Sequence, residues 1–184
     1  MNYKYDDQGY RTYKSITNPV GTTAINYQLN DDKVVYEKRT SSSGTIEIYY
    51  AYDSQGKLYG FNLSSSSDSG WYVYKRNIQG DIIGIIDSVG NEVVSYRYDA
   101  WGNNLGITGT KASTVGVYNE YRYRGYRFDS DVGLYYLNSR YYDPNLCRFI
   151  NADEPVTLAF SSGDTIGANL FAYCANNRVP SKGT

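Results

Sequence analysis

Few side chains in this sequence suit covalent or acid–base chemistry. Histidine is absent from all 184 residues, which removes the commonest general base and metal ligand. The two cysteines, Cys147 and Cys174, fit neither a zinc cluster nor a disulfide framework. A cysteine nucleophile needs a neighbouring base to lower its pKa. Without histidine the pair reads as packed thiols, with a single bridge between them as the alternative. Neither a metal nor a cofactor is expected. The remaining chemical potential is aromatic: 23 tyrosines stand against 5 phenylalanines and 2 tryptophans. Repeated rings interleaved with Asp and Gly could pack a sheet or stack on sugar faces, so carbohydrate binding is the rival reading. The run Tyr121-Arg122-Tyr123-Arg124-Gly125-Tyr126-Arg127-Phe128 could stack on single-stranded nucleic acid. On a strand, however, its arginines fall opposite Tyr121 and Tyr123, as in a sheet with one solvated side. The net charge of −1 gives no electrostatic reason to expect nucleic acid or an anionic membrane as partner.

The elements that must carry these rings repeat. Tyr3-Lys4-Tyr5-Asp6-Asp7-Gln8-Gly9, Tyr50-Ala51-Tyr52-Asp53-Ser54-Gln55-Gly56 and Tyr96-Arg97-Tyr98-Asp99-Ala100-Trp101-Gly102 are three clear copies of one unit. Weaker copies begin at Tyr27, Tyr72 and Tyr121, and the steps between copies are 22 to 25 residues. Tyr-x-Tyr places both rings on one face of a strand. Asp-x-x-Gly then makes a turn: Asp accepts from the backbone two residues on, and Gly supplies positive φ. A second strand follows, Lys57 to Phe61 in one copy and Asp81 to Ile86 in another, so one repeat predicts one β-hairpin. Thr45 to Tyr52 alternates with Ile46, Ile48, Tyr50 and Tyr52 on one side. Residues 40–44, 64–70 and 106–116 predict loops. An isolated hairpin is marginal in water, so neighbouring repeats must pair edge to edge. The expected fold is all-β: tandem antiparallel hairpins forming one curved sheet with open edges.

The stretch from Phe128 to Phe149 breaks the repeat. Gly133-Leu134-Tyr135-Tyr136-Leu137 and Arg140-Tyr141-Tyr142-Asp143-Pro144 predict two strands joined at Asn138-Ser139. Pro144 stops the ladder because it has no N–H, and Arg148-Phe149 restarts it. These runs, followed by Asp153, Asn169-Leu170-Phe171-Ala172-Tyr173 and Asn176-Asn177, resemble the core signature of the Rhs/YD-repeat family. That family comprises polymorphic bacterial toxins, the C component of insecticidal toxin complexes, and teneurins. The resemblance implies a sheet that spirals into a hollow shell around a C-terminal effector, with the core region plugging one end. It divides the chain into hairpin repeats (1–120), core region (121–179) and tail (180–184). The residues themselves read Asn169 as the cap of one short helix through Leu170, Phe171, Tyr173 and Cys174.

The resemblance also implies one catalytic candidate. In this family an aspartate after Arg-Phe lies near the site of self-cleavage, and Asp153 occupies that position. An aspartyl protease needs two carboxylates sharing a proton; Glu154 and Asp164 are the available partners, and neither is fixed by the motif. The residues alone read Asp153 as capping a turn after Ile150. The sequence departs from the pattern at Cys147, where the family has Gly, at Glu154 and Arg178, where it has Pro, and in the cleavage motif expected further on, so no self-cleavage is expected. The expected function is a structural shell segment of an Rhs-type secreted or surface toxin. Its partners would be the rest of the shell and a C-terminal effector. No apolar run approaches the ~18 residues of a membrane-spanning helix, and the polar start shows no signal peptide.

Overall fold

The structure, a computed structural model, describes residues 1–151 and Tyr173. Ten strands form an antiparallel meander in which each pairs with its neighbours in sequence. They are β1 (Asn2–Tyr5), β2 (Arg11–Asn18), β3 (Gly21–Asn30), β4 (Lys33–Ser41), β5 (Gly44–Tyr52), β6 (Leu58–Ser64), β7 (Ser69–Arg76), β8 (Ile82–Asp87), β9 (Glu92–Tyr98) and β10 (Asn104–Thr108). A second antiparallel sheet follows, with β11 (Arg127–Asp129), β12 (Leu134–Leu137), β13 (Arg140–Asp143) and β14 (Arg148–Phe149). Between the sheets lie a single helical turn, α1 (Val115–Tyr118), and a 3₁₀ turn at Tyr123–Gly125. The all-β reading therefore holds among the described residues.

The repeat is visible in the backbone. At Asp6, Asp53, Asn77, Asp87 and Asp99 the side-chain oxygen accepts from the N–H groups two and four residues on, at 2.8–3.0 Å. The glycine three residues on donates its N–H to the carbonyl of the same Asp or Asn. That glycine has φ between +75° and +96°, a region that L side chains avoid. One side-chain oxygen thus satisfies two of the turn's N–H groups, and the same residue's carbonyl a third, without water. Beside six such turns or their equivalents the ladder slips by one residue, at Lys4/Tyr5, Gln28/Leu29, Ala51/Tyr52, Lys75/Arg76, Ile85/Ile86 and Asn104/Gly106. The slips recur with the sequence repeat. An extra residue in one strand bends it and raises the local twist, so the repeat encodes bend as well as pairing.

Alternation sorts the side chains onto two faces. Ile25, Tyr27, Ile48, Tyr50, Phe61, Leu63, Tyr72, Tyr74, Ile82, Ile85, Val94 and Tyr96 are buried on one face. Tyr49, Tyr59, Trp71 and Val73 are exposed on the other. The covered face is closed by the chain that follows β10, through Val115 and Tyr121.

Three expectations need correction. The copy beginning at Tyr27 ends in a two-residue turn, Asn30 facing Lys33, with Asp31 at φ 54°; it has no glycine to build the four-residue form. The predicted loop 106–116 is partly ordered as β10 and α1, because β10 pairs with β9 as far as Thr108 and the Lys111 N–H reaches the Val93 carbonyl at 3.0 Å. The run Tyr121–Phe128 is not a strand with a wet arginine face. It crosses the sheet as a bridge at Tyr121 and a 3₁₀ turn, with Arg122 and Arg127 buried. The predicted helix after Asn169 lies outside the described residues.

Candidate functional site

The candidate site is the seam where residues 111–143 lie across the covered face of the ten-stranded sheet. Its centre is Asn119, 1% exposed. Asn119 Oδ1 accepts from the Tyr74 hydroxyl (2.8 Å) and the Tyr121 N–H (3.2 Å). Its Nδ2 donates to the Tyr121 carbonyl (2.6 Å) and the Tyr96 hydroxyl (3.2 Å). Donors and acceptors of the amide are all used. One side chain therefore ties β7, β9 and the crossing segment together. Burial pushes the Tyr96 hydroxyl up to about 12, against the pull of Arg122 and Asn119. At the far side Lys111 and Thr114 hold Asp68, the latter at 2.6 Å.

Buried charges flank this amide. Arg11 of β2 grips Asp129 of β11 with two nitrogens, at 2.5 and 3.0 Å, and both side chains are wholly buried. Lys14 adds 3.2 Å to Asp129 and 2.8 Å to Asp131. The Arg11 guanidinium lies over the Tyr136 ring at 4.4 Å, and its backbone N–H donates to the Tyr136 hydroxyl at 3.1 Å. A second group joins β4 to the seam. Glu37 accepts from Arg39 and from the Tyr50 hydroxyl (3.0 Å), while Glu120 meets Arg39 at 3.3 Å and Arg127 at 2.6 Å. Burial opposes ionisation of Glu120, but Arg127 and Arg39 outweigh it and lower its carboxyl to about 2. Burial wins at Glu37, which is raised despite Arg39. A buried ion pair contributes little net stability over an apolar replacement, yet losing one partner is costly. Such pairs select one docking of the seam over others.

The third part clasps the last repeat turn. Ala100, Trp101 and Gly102 offer three successive carbonyls, which accept from the hydroxyls of Tyr123 (3.0 Å), Tyr142 (2.9 Å) and Tyr135 (2.8 Å). Asn103 Nδ2 donates to the Pro144 carbonyl at 3.2 Å. The same rings form the second core with Phe149 and Tyr173. Tyr173 packs 4.2 Å from Tyr142, centroid to centroid. Gly102, at φ 92°, sits under the Tyr123 ring, and a Cβ there would lie 2.6 Å from it. Tyrosine rather than phenylalanine is used because each ring fills the core while its hydroxyl satisfies a turn carbonyl.

Of the sequence-predicted site residues, Asp153 lies outside the described residues, as do Glu154, Asp164 and Cys174. Cys147 is half-buried with φ 57°, its Sγ 3.5 Å from the Pro144 carbonyl. The charged seam was not anticipated. A signal existed: Glu37 pairs across the ladder with Ile48 and Tyr27, both inward, so its carboxylate had to be buried. Among the described residues no three His, Cys, Asp or Glu side chains gather as a metal site, and no helix is long and apolar enough to cross a membrane.

These features define a wall of tandem Tyr-Asp hairpins with an aromatic core region docked on its covered face. No family model matches the chain. It is 38% identical over 177 residues to the tRNA nuclease WapA of Bacillus subtilis (strain 168) and 37% identical to a WapA nuclease of Bacillus spizizenii. Each alignment covers 96% of this chain and 7% of the relative. In fold it is similar to a chain of the Photorhabdus luminescens Tc holotoxin pore, with a TM-score of 0.78 at 20% identity, covering 97% of this chain and 8% of that one. The chain belongs to the Rhs/YD-repeat family. It spans about 7% of the length of these two WapA relatives.

Proposed function

We propose that this chain is a structural segment of an Rhs-type toxin shell, secreted or displayed at the cell surface, which encloses a C-terminal effector and supplies no reactive group of its own. The observation that carries the reading is the clasp at the last repeat. Hydroxyls of three core tyrosines occupy the three carbonyls of the Asp99–Gly102 turn. Such a clasp fixes the core region on the wall at the end of the repeat array. The partners are further repeats, which would add at the free edges of β1 and β10, and the effector. An unpaired strand edge is a ready template for another strand. Self-cleavage is not part of the reading, and the intact mass is expected to persist on incubation, with or without Asp153→Asn. The carbohydrate reading stands second because most tyrosine rings that carry the repeat are buried, leaving little face for a sugar.

The test uses the full-length protein in which this segment resides. Its C-terminal domain should resist a protease that readily cuts the same domain when expressed alone, and loosening the seam with Asp129→Ala should speed the cut. Equal cleavage rates for enclosed and isolated domains would overturn the proposal.

A further inference from the structure

A cavity of about 510 Å³ opens at the turn end of the ten-stranded sheet, where the β3–β4 and β5–β6 turns meet the crossing segment. Five cationic side chains line it, Lys33, Lys57, Arg76, Arg124 and Arg127, against the single carboxylate of Asp32. The chain as a whole carries 18 basic and 19 acidic residues, so this excess is local. The cations are incompletely matched. Arg76 donates to two neutral carbonyls, those of Gly80 and Leu58, both at 2.9 Å. Arg124 Nε stands 3.7 Å from Asp81. Among the described residues Lys33 pairs only with the exposed Asp32, at 3.3 Å, and its ammonium lies over Gly56, 3.3 Å from where a Cβ would stand. Lys57 is exposed.

The deepest of the five is Arg127, 5% exposed. One nitrogen pairs with Glu120 at 2.6 Å and stands 3.8 Å from Glu37, but its Nε is buried with no acceptor among the described residues. A buried donor left without a partner costs free energy and calls for an explanation. The rest of the wall is ring-shaped and apolar: Tyr52, Tyr121, Tyr126 and Tyr136, with Val34 and Leu58. A volume in the few-hundred Å³ range suits a small ligand held by apolar walls and a few convergent polar groups. Guanidinium groups favour phosphate through paired, charge-assisted N–H donors. We propose that this cavity binds a phosphate monoester carried on a small ring-bearing molecule, with the cations on the phosphate and the tyrosine walls on the ring.

The test titrates the 184-residue chain with adenosine monophosphate at low ionic strength, following amide shifts by NMR and heat by calorimetry. Inorganic phosphate, adenosine and sodium sulfate are run in parallel. Adenosine monophosphate should shift residues of the two turns and of 121–127, inorganic phosphate the same residues more weakly, and adenosine none. The exposed pair Lys33→Gln/Lys57→Gln should weaken the binding about tenfold or more while leaving the unfolding midpoint unchanged, since exposed charges add little to stability. No site-specific shift with any phosphate would overturn the proposal, as would affinity unchanged in the double variant. Sulfate acting as well as the nucleotide would reduce the site to a general cation field and overturn it too. Equal affinity for inorganic phosphate and the nucleotide would remove the ring from the ligand.

Discussion

Removing one carboxylate should unlock the seam. Asp129 is wholly buried and accepts from both terminal nitrogens of Arg11 and from Lys14. Asp129→Ala leaves the Arg11 guanidinium in place with no counter-ion. Lys14 keeps Asp131, whose side chain is 32% exposed, so its loss is partial. Breaking a buried pair from one side costs about 3–5 kcal/mol. The Tyr136 ring at 4.4 Å and the Tyr27 ring at 5.3 Å face the guanidinium with or without Asp129, so their cation–π contacts do not offset that loss. The expected loss is therefore about 3–5 kcal/mol, a large share of the roughly 5–15 kcal/mol that holds a domain folded.

The decisive comparison is with Arg11→Met/Asp129→Leu, which removes both charges and keeps the volume apolar. An apolar replacement of a buried pair is often neutral or stabilising. The double variant should therefore be more stable than Asp129→Ala alone, despite carrying more changes. Urea unfolding measures both, and hydrogen exchange locates the effect. In the single variant β11 and the inner end of β2 should lose protection before β5–β8, because only the first two meet at this pair. A cost below about 1 kcal/mol for Asp129→Ala, or a double variant no more stable than the single, would refute the account of the seam as a charge-matched latch.

Further tests address the turn, the amide and the acids. Gly102→Ala should cost about 2–4 kcal/mol, combining a positive-φ penalty with a Cβ driven into the Tyr123 ring, whereas Gly9→Ala, with open space around it, should cost only about 1–2 kcal/mol; equal losses in denaturant unfolding would mean that the clasp does not press on the turn. Asn119→Ala should lose about 3 kcal/mol, because it strands the Tyr74 hydroxyl and both polar groups of the Tyr121 backbone, while the Tyr96 hydroxyl keeps the Gly116 carbonyl; a loss under 1 kcal/mol by thermal unfolding would count against the seam's centre. Acid should weaken the fold chiefly through Glu120. Its folded pKa of about 2 lies below the ordinary carboxylate value, so its stabilisation is present above that value and is lost as pH falls toward 2. The span corresponds to roughly 3 kcal/mol. Glu37, raised by burial, works the other way: its contribution is full below the ordinary glutamate pKa and declines as pH rises through the raised value. Glu120→Gln should flatten the acid limb of an unfolding-versus-pH curve.

How much of this was legible in the sequence follows from the range of each interaction. The hairpins are local. Asp53 reaches Gln55 and Lys57, and Gly56 supplies the positive φ, so five adjacent residues specify the whole turn. Tyr50 and Tyr52 alternate inward for the same reason. The seam is not local. Arg11 and Asp129 are 118 residues apart, and nothing near Arg11 says that its partner will come from β11. The run Tyr121–Phe128 shows where local logic fails. Its alternation promised one apolar and one solvated face, but both faces are enclosed: Tyr121 packs edge-on against Tyr50 at 5.0 Å, and Arg127 lies over Tyr27 at 4.1 Å. Arginine there is matched by two carboxylates, Glu37 of β4 and Glu120 of the crossing segment itself.

The same contrast explains the excess of tyrosine. On its own strand each Tyr-x-Tyr pair needs only two rings to fill the covered face, and phenylalanine would serve as well. The hydroxyls answer a demand from elsewhere. Tyr52 donates to the Val34 carbonyl (2.8 Å), Tyr98 to Ile82 (3.0 Å), Tyr96 to Gly116 (2.8 Å), and the three core tyrosines to the Asp99–Gly102 turn. Where the crossing chain and the bulged ladder leave carbonyls facing a core instead of water, each needs a donor. A tyrosine supplies that donor without giving up ring burial. At these positions the hydroxyl is therefore what lets a bulged, bent sheet be closed dry.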